Sequence, residues 1–562
     1  MALAIGAGGV WAANRRAQTL TRIDPERAVV TDRFPIGSEP RALAVVDGRL
    51  WVAVAAAGAG HRGGTLRVDF QGTPLKRTEA VALAIAADFD PATGYSPFTR
   101  LLSLTNDGLT AFRRVGGTAG AELVPDLAEA IPSPSDGGRT YTFTVRDGVR
   151  FSTGGDVRPS DVKRGIERSL NARQAAFGLL DGIKSIAADD EHRTIVIRLR
   201  RPDPDFLYRL ALPFAYAVPP GTPPPPSVVA ATGPYRIARF DPPRRVRLER
   251  NRFYRTWSTL AKPDGYPDAI DVRLNRPARE SIAAIRAGRS DWTFMESAPA
   301  ELAKLRRRDP GLVRDSVPPI TTWSFLNTRV APFDRLDARR AVALAIDREA
   351  AVAAAGGEHA ARPTCHLLPP TYPGYRPDCA PMDLAAARRL VAGSGTRGAR
   401  VVVRVGKGFS FQIQALARAL RSLGYRTSVR VLPVDEHFNQ ISDSSVRAQA
   451  GATAWLADYP SPSSFLNTFT CRAFVPRSTH NVNWSQFCDP AADALIRRAT
   501  LMQATDPRAA EVLWARAERR VLDAAPAIPL TNPVHTDLLS ARVRNDQEHP
   551  QWGLLPDQVW VR

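Results

Sequence analysis

The four cysteines are the side chains of this sequence best suited to covalent chemistry, and they fall in two local pairs. Cys365 and Cys379 lie in a Pro-rich segment, and Cys471 and Cys488 lie in an Asn/Ser-rich one. Neither pair has the close double spacing of a zinc ribbon, and no CxxC redox motif occurs. The pairs predict two short-range disulfides and an oxidising compartment. The alternative is four free thiols in a reducing compartment.

Motifs for catalysis are missing from the sequence. It has no GxSxG elbow, HExxH helix, P-loop or dinucleotide-binding GxGxxG. Lys407 lies between two glycines but lacks the remaining residues of a Walker motif. Histidines such as His359 and His366 are isolated and are not spaced as metal ligands. We therefore expect no enzymatic activity, no cofactor and no metal.

Composition is that of a large globular protein with an unusual charge. The 562 residues are 44% apolar and 23% charged, and the formal net charge is +20. Such a length predicts two to four structural units. A basic surface for nucleic acid is one interpretation of the charge. The basic residues are scattered and no nucleic-acid-binding motif accompanies them, so we favour a general compositional preference for Arg and expect no nucleic-acid partner.

Membrane and export signals are also missing. No stretch approaches the roughly 20 apolar residues that a membrane span needs. The first residues, MALAIG, have no basic start and run directly into patterned sequence. If the protein acts outside the cytoplasm, we expect its export or anchoring signal to be absent from this chain.

The first sixty residues contain a partial internal repeat. The segment VWAAN at 10–14 recurs as LWVAV at 50–54. Short alternating strands separated by Asp-Pro and Gly turns at this period are typical of propeller blades. The pattern resembles the YVTN-type β-propeller repeat, although a propeller needs about four to eight blades to close. We predict a partial propeller over 1–56 and a linker over 57–64.

The remainder alternates strands with helices, which predicts α/β domains. Five segments, in order along the chain, resemble sequence runs of the family 5 solute-binding proteins, the oligopeptide- and dipeptide-binding subunits of ABC importers. They are PDLAEA at 125–130 with YTFTVRDGVRF at 141–151, TGPY at 232–235, the run 326–348, WLADYPSP at 455–462 and APAIPL at 525–530. Ser461 departs from this resemblance, since the family usually has Asp in that loop.

The resemblance implies an α/β, two-lobed periplasmic-binding-protein fold of the large, cluster C type, preceded by the short all-β remnant. Lobe I would comprise 65–320, with an inserted subdomain at about 100–215. Lobe II would comprise 321–526, and 527–562 would return to lobe I. In this fold the ligand is enclosed between the lobes by hinge closure.

The resemblance also implies ligand-binding residues. In the oligopeptide-binding relatives, the Asp of the W-x-ADY loop binds the ligand's amino group, and that position is Asp458 here. Trp455 would supply an apolar wall and a cation–π face, with Tyr459 in the same loop. Asp107 would add a second contact from lobe I. The alternatives are a turn-capping role for Asp458 and an ordinary core position for Trp455.

Asn327 is a further candidate ligand contact in the second lobe. The alternative, which we favour, is that Asn327 and Asp347 cap and brace that lobe.

Three functional hypotheses follow. The first is an extracytoplasmic, monomeric binding protein that captures a peptide or other small solute and delivers it to the permease subunits of an ABC transporter. The second is the ligand-sensing ectodomain of a larger propeller-containing receptor, which the N-terminal repeat favours. The third is a basic nucleic-acid binder, which would show steeply salt-dependent DNA affinity.

Overall fold

The computed structural model describes residues 2–14, 19–26, 29–36, 40–54, 61–71, 78–94, 99–172, 178–295, 299–407, 409–479, 481–503 and 506–561. The chain divides into two compact units. Unit 1 comprises 1–314 and 536–562, and unit 2 comprises 315–535. Among the described helices, none combines the length and the apolar character that a bilayer crossing requires.

Six short strands open unit 1: β1 Ala2–Gly6, β2 Gly9–Asn14, β3 Thr19–Asp24, β4 Val29–Pro35, β5 Pro40–Val46 and β6 Arg49–Val54. The first four form an antiparallel sheet in sequence order, and β5 pairs with β6. Asp47 and Gly48 join β5 to β6 with φ values of 51° and 70°, as a two-residue type I′ turn requires. The repeated segments lie in β2 and β6, but the propeller itself stays a prediction. Residues 57–60 of the predicted linker lie outside the described residues.

The rest of unit 1 before residue 315 is an α/β region. Its strands are β7 Thr65–Gln71, β8 Thr110–Phe112, β9 Leu123–Pro125, β10 Thr140–Thr144, β11 Ile183–Asp189, β12 Thr194–Leu199, β13 Tyr235–Asp241, β14 Arg245–Arg250, β15 Ala269–Arg276, β16 Trp292–Met295 and β17 Val313–Ser316. Its helices are α1 Glu79–Asp88, α2 Thr99–Thr105, α3 Pro159–Ala172, α4 Phe206–Leu210, α5 Ala278–Arg286 and α6 Pro299–Arg308.

Unit 2 alternates strands and helices in the same way. Its strands are β18 Ile320–Leu326, β19 Ala361–Pro363, β20 Arg400–Gly406, β21 Arg426–Leu432, β22 Ala450–Leu456 and β23 Ala527–Pro533. Its helices are α7 Leu336–Ala345, α8 Arg348–Ala355, α9 Leu384–Ser394, α10 Ser410–Ser422, α11 Val434–Ser442, α12 Ser463–Leu466, α13 Pro490–Gln503 and α14 Pro507–Asp523.

The chain then returns to unit 1 in five short strands: β24 His535–Leu539, β25 Val543–Arg544, β26 Glu548–His549, β27 Gly553–Leu554 and β28 Trp560–Val561. The main sheet of unit 1 has seven strands in the order β13-β14-β15-β7-β16-β24-β17. β10, β12 and β11 form a separate three-stranded sheet, and β8 pairs with β9. Both of these smaller sheets lie within the stretch 100–215 expected to be an inserted subdomain.

The main sheet of unit 2 has six strands in the order β19-β23-β18-β22-β20-β21. Successive side chains of β18 point to opposite faces of this sheet. Trp323 and Phe325 pack in one core, which includes Trp514 of α14, and Leu326 packs in the other, which includes Leu416 of α10. Helices therefore bury both faces of the sheet.

The division into units falls at other residues than two of the predicted lobe boundaries, which stay predictions. The chain enters unit 2 at residue 315, not 321, and leaves it after 535, not 526. β23 was expected in the return to lobe I, but it pairs with β18 and β19 inside the sheet of unit 2. The APAIPL run at 525–530 is apolar because this central strand is buried on both faces, and burial alone does not tell which sheet a strand joins.

Candidate functional site

The WLADYPSP segment leaves the sheet of unit 2 at the end of β22. Trp455 is opposite Thr321 of β18 in the antiparallel register, and the strand ends one residue later. Two backbone hydrogen bonds then fix the turn. The Ala457 N–H donates to the Pro319 carbonyl at 3.0 Å, and the Asp458 N–H donates to the Ser464 hydroxyl at 2.8 Å. The backbone that carries the half-buried Asp458 side chain is thus held on both sides.

The second half of the loop is anchored by side chains. The Tyr372 hydroxyl donates to the Tyr459 carbonyl at 3.4 Å. Ser461, the departure from the family's usual Asp, is fully buried, and its hydroxyl lies 2.8 Å from that of Ser463 and accepts from the Gln503 amide at 3.3 Å. Ser461 therefore stabilises the loop through buried hydrogen bonds to Ser463 and Gln503.

Tyr459, expected to contact ligand, is a core residue. Its side chain is only 2% exposed. It lies between Asp458 and the buried Pro460 in the loop. The contact of Tyr459 with a ligand stays a prediction.

Trp455 forms part of an aromatic cluster in unit 2. Its ring is 6.0 Å from that of Trp484, which in turn lies 6.0 Å from Phe438 of α11. The Trp455 side chain is half-buried, and its indole N–H has no hydrogen-bond partner among the described residues. A half-buried ring backed by two further aromatic rings is a firm apolar wall that also carries an unused donor.

Two buried polar residues of unit 2 were not singled out from the sequence. His437 of α11 is fully buried with its ring 5.3 Å from Phe438, and its Nε2–H donates to the Ala452 carbonyl at 3.1 Å. Burial lowers the pKa of His437 to about 4, so the ring is neutral at pH 7. Gln412 of α10 is fully buried as well, and its amide has no partner among the described residues. The sequence around an isolated His or Gln does not indicate that its side chain is buried.

Asp107 is a buried residue of unit 1, and its contact with a ligand stays a prediction. Its carboxylate is fully buried, 2.6 Å from the Lys262 ammonium, and accepts a 2.6 Å hydrogen bond from Thr232. Lys262 also donates to the carbonyls of Asn106, at 3.2 Å, and Ser103. Asp107, in the turn TNDGL at 105–109, therefore forms an internal ion pair with Lys262.

The TGPY turn that contributed to the family resemblance supplies one of these contacts. Thr232 binds Asp107, and the backbone of the next residue, Gly233, passes close to α2. A β-carbon at Gly233 would lie 2.6 Å from the Leu104 carbonyl oxygen, so only glycine fits there. The motif thus has a structural role.

A second buried carboxyl group adjoins the same ion pair. Asp126 is 1% exposed and accepts a 2.9 Å hydrogen bond from the Trp257 indole. Burial, and then the charge of Asp107, raise the pKa of Asp126 well above its usual range. Asp126 therefore releases its proton at a higher pH in the folded protein than in the unfolded chain.

This arrangement makes the stability of unit 1 depend on pH. The folded protein retains the Asp126 proton at pH values where the unfolded chain, with an Asp pKa of about 3.9, has lost it. The contribution is therefore complete below that pKa and is lost as pH rises towards the folded pKa, with a slope of at most about 1.4 kcal/mol per pH unit. We expect Asp126→Asn to remove this slope, because the amide can donate to Asp107 and accept from Trp257 without a proton. Urea unfolding of the wild type and the variant from pH 4 to pH 8 measures the pH dependence of the free energy of unfolding. An equal slope in the two proteins would contradict the raised pKa of Asp126.

Asn327, the remaining candidate, is buried in unit 2. It is 1% exposed, donates to the Ala448 carbonyl at 2.9 Å and accepts from the Arg329 N–H at 3.0 Å. Asp347 caps α8 by accepting the Ala350 N–H at 2.8 Å. Both side chains satisfy backbone groups of unit 2, and a contact of Asn327 with the ligand stays a prediction.

The two cysteine pairs form disulfides. Cys365 and Cys379 have their Cα atoms 5.6 Å apart, and Cys471 and Cys488 have theirs 4.3 Å apart. Each bond closes a short loop of unit 2, as the sequence predicted. The alternative of four free thiols is therefore wrong for this structure.

Two α/β units of this kind are the architecture of a solute-binding protein. Residues 122–474 match the bacterial extracellular solute-binding proteins, family 5, and the chain belongs to this family. It has the two-lobed periplasmic-binding-protein fold, and its family binds solutes for transport and does not transform them.

Similar proteins extend over most of the chain. Di/tripeptide-binding protein 1 of Pseudomonas aeruginosa (strain UCBPP-PA14) is 26% identical over 499 residues, which cover 79% of this chain and 87% of that protein. Di/tripeptide-binding protein 4 of the same strain is 28% identical over 499 residues, covering 80% and 86%. The solved structure of clavulanic acid biosynthesis oligopeptide binding protein 2 matches with a TM-score of 0.78 and 27% identity, covering 89% of this chain and 96% of that one.

Proposed function

We propose that this protein captures a short peptide and that Asp458 binds the peptide's terminal ammonium group. The observation that carries the proposal is the loop at the end of β22, which holds a half-buried carboxylate residue beside a half-buried aromatic wall. The names of the similar proteins, which bind di- and tripeptides or oligopeptides, support the same ligand class.

The chemistry of a peptide terminus favours such a residue. An ammonium group removed from water is costly unless a carboxylate pairs with it. A loop whose backbone is fixed by Ser464 and Tyr372 presents its carboxylate with little loss of conformational freedom on binding. Charge and pre-organisation together make Asp458 the strongest candidate for an amine anchor.

Trp455 complements this anchor. An aromatic face within about 6 Å of an ammonium contributes about 0.5–2 kcal/mol, more when the site is desolvated. The same ring offers apolar area to the first side chain of the peptide, and the unused indole N–H offers a donor to a peptide carbonyl.

We expect Trp455→Ala to weaken peptide binding by about 3- to 30-fold, through loss of the cation–π contact and of the apolar wall. Trp455→Phe retains an aromatic face and should remain within about 3-fold of the wild type. The matched control is Trp51→Ala, which removes a 60% exposed tryptophan of β6. Fluorescence titration with one peptide checks all three variants; equal losses for Trp455→Ala and Trp51→Ala would argue against the wall.

A thermal-shift screen tests the function itself. Ligand that binds only the folded state adds RT ln(1 + [L]/Kd), about 2.7 kcal/mol at a hundredfold excess over Kd. A library of di- to pentapeptides should contain members that raise the Tm, whereas free amino acids and sugars should not. A library without any stabilising peptide, alongside stabilisation by another solute class, would overturn the peptide assignment.

Delivery to the permease subunits of an ABC transporter, by a monomer acting outside the cytoplasm, completes the proposal. Family membership supports the transport role, and two disulfides support an oxidising location.

A further inference from the structure

The loop closed by the Cys365–Cys379 disulfide contains a third side chain with ligand chemistry. The two sulfur atoms and a ring nitrogen of His366 all lie within 4.8 Å of one another. His366 is 8% exposed, whereas Cys365 is half-buried and Cys379 is exposed. A soft donor set of two sulfurs and one imidazole is thus assembled at the surface of unit 2.

The imidazole is already oriented. His366 Nδ1 lies 3.2 Å from a carboxylate oxygen of Glu518, which is 2% exposed. The other oxygen of Glu518 accepts the Leu368 N–H at 2.8 Å, and the Tyr375 ring packs edge-on at 5.0 Å from the imidazole. The carboxylate beside Nδ1 orients the ring, as in the carboxylate–histidine–zinc arrangement of metal sites. Nε2 lies 3.4 Å from the Asp378 carbonyl oxygen, so a metal ion bound to Nε2 would replace this contact.

From this geometry we propose that reduction of Cys365–Cys379 creates a site for a thiolate-preferring divalent metal ion, with Zn²⁺ as the reference ion. Cys365 Sγ, Cys379 Sγ and His366 Nε2 are the ligands, and water takes the fourth position. Tetrahedral Zn²⁺ with bonds of about 2.3 Å to sulfur and 2.0 Å to nitrogen sets its donors roughly 3.5–3.8 Å apart. The donor atoms are close enough for that geometry once the disulfide opens.

The disulfide is converted to the metal site in two steps. A dithiol reductant gives two electrons and two protons to the Cys365–Cys379 bond and becomes a disulfide itself, which leaves two cysteine thiols. Zn²⁺ then displaces the two thiol protons and is bound by the resulting thiolates. The ion closes the same loop that the disulfide closed, so the loop keeps its cross-link under reducing conditions.

Glu518 acts as a positioning residue. It touches His366 and not the metal, and removal of such a partner typically lowers metal affinity 10- to 100-fold. The oxidised protein offers no thiolate here and should bind Zn²⁺ weakly or not at all. This dependence on redox state separates the proposed site from a general surface histidine.

The experiment uses the full chain carrying Cys471→Ser and Cys488→Ser, so that only the first pair can be reduced. After reduction and removal of the reductant, Zn²⁺ should bind one to one and raise the Tm, and Co²⁺ should give a thiolate charge-transfer band. His366→Asn keeps a hydrogen-bonding group facing Glu518 but lacks Nε2, and should lose the affinity by at least about 100-fold. Glu518→Gln should lose about 10- to 100-fold.

Equal Zn²⁺ affinity of the oxidised and reduced proteins, or an unchanged affinity in His366→Asn, would overturn the proposal. If the double serine variant does not fold, reduced wild-type protein and its Cys365→Ser/Cys379→Ser variant give the same comparison. In that case, loss of one Zn²⁺ equivalent on removal of the first pair is the supporting result, and no loss is the contradicting one.

Discussion

We expect Asp458→Asn to weaken the binding of a tripeptide with a free amino terminus by at least about 30-fold, the equivalent of 2 kcal/mol or more. The substitution preserves shape and the backbone hydrogen bond to Ser464, but removes the charge that offsets desolvation of the ammonium. Isothermal titration of wild type and variant with the same peptide measures the ratio.

Two controls separate the amine contact from general effects. Asp435→Asn makes the same change of charge at an exposed site in the first turn of α11, and should leave affinity within about 2-fold if long-range charge effects are screened. The N-acetylated tripeptide lacks the ammonium, so it should bind the wild type weakly and be affected little by Asp458→Asn. An equal loss for the free and acetylated peptides would mean that Asp458 shapes the loop and does not contact the amine.

The second large effect is on stability. Lys262→Met should destabilise the protein by about 3–5 kcal/mol, because it leaves the fully buried Asp107 carboxylate without its cation. Asp126 cannot compensate, since it is a second carboxyl group beside Asp107 and supplies no positive charge. Denaturant unfolding monitored by tryptophan fluorescence measures the loss.

Lys163→Met is the matched control. Lys163 is half-buried on α3, with its side chain 37% exposed and 3.8 Å from Glu167 one helical turn away, and surface pairs of this kind contribute only about 0.3–0.5 kcal/mol. Lys262→Met combined with Asp107→Asn should recover part of the stability, because the double variant contains no unpaired charge in the ion pair. A double variant less stable than Lys262→Met would contradict the account of the cluster.

The sequence was sufficient to predict the class of fold and the loop that carries the candidate anchor. The alternation of strands and helices is a local pattern. The order of residues in WLADYPSP resembles a family motif and can be identified without a structure. The disulfides were predictable too, since both pairs are close in sequence. Features that depend only on residues close in the sequence can be predicted without knowledge of the tertiary structure.

Long-range partners were not predictable in the same way. Nothing local to Asp107 shows that Lys262 neutralises it, and the acidic turn was therefore assigned to the ligand. Lysine is rare in this Arg-rich chain, and its presence at 262 is the one sequence signal that could have marked a special site. The same limit applies to β23, whose apolar residues fit either sheet, and to Glu518, which meets His366 only in the folded unit.

The central claim is that the protein binds a peptide through its amino terminus and leaves it unchanged. Titration calorimetry of the wild-type protein with one stabilising tripeptide and with its N-acetylated form tests this most directly, with mass spectrometry of the peptide recovered afterwards. We expect one-to-one binding of the free peptide, at least about 30-fold weaker binding of the acetylated one, and intact peptide on recovery. Equal affinity for the two forms, or recovery of cleaved peptide, would contradict the claim.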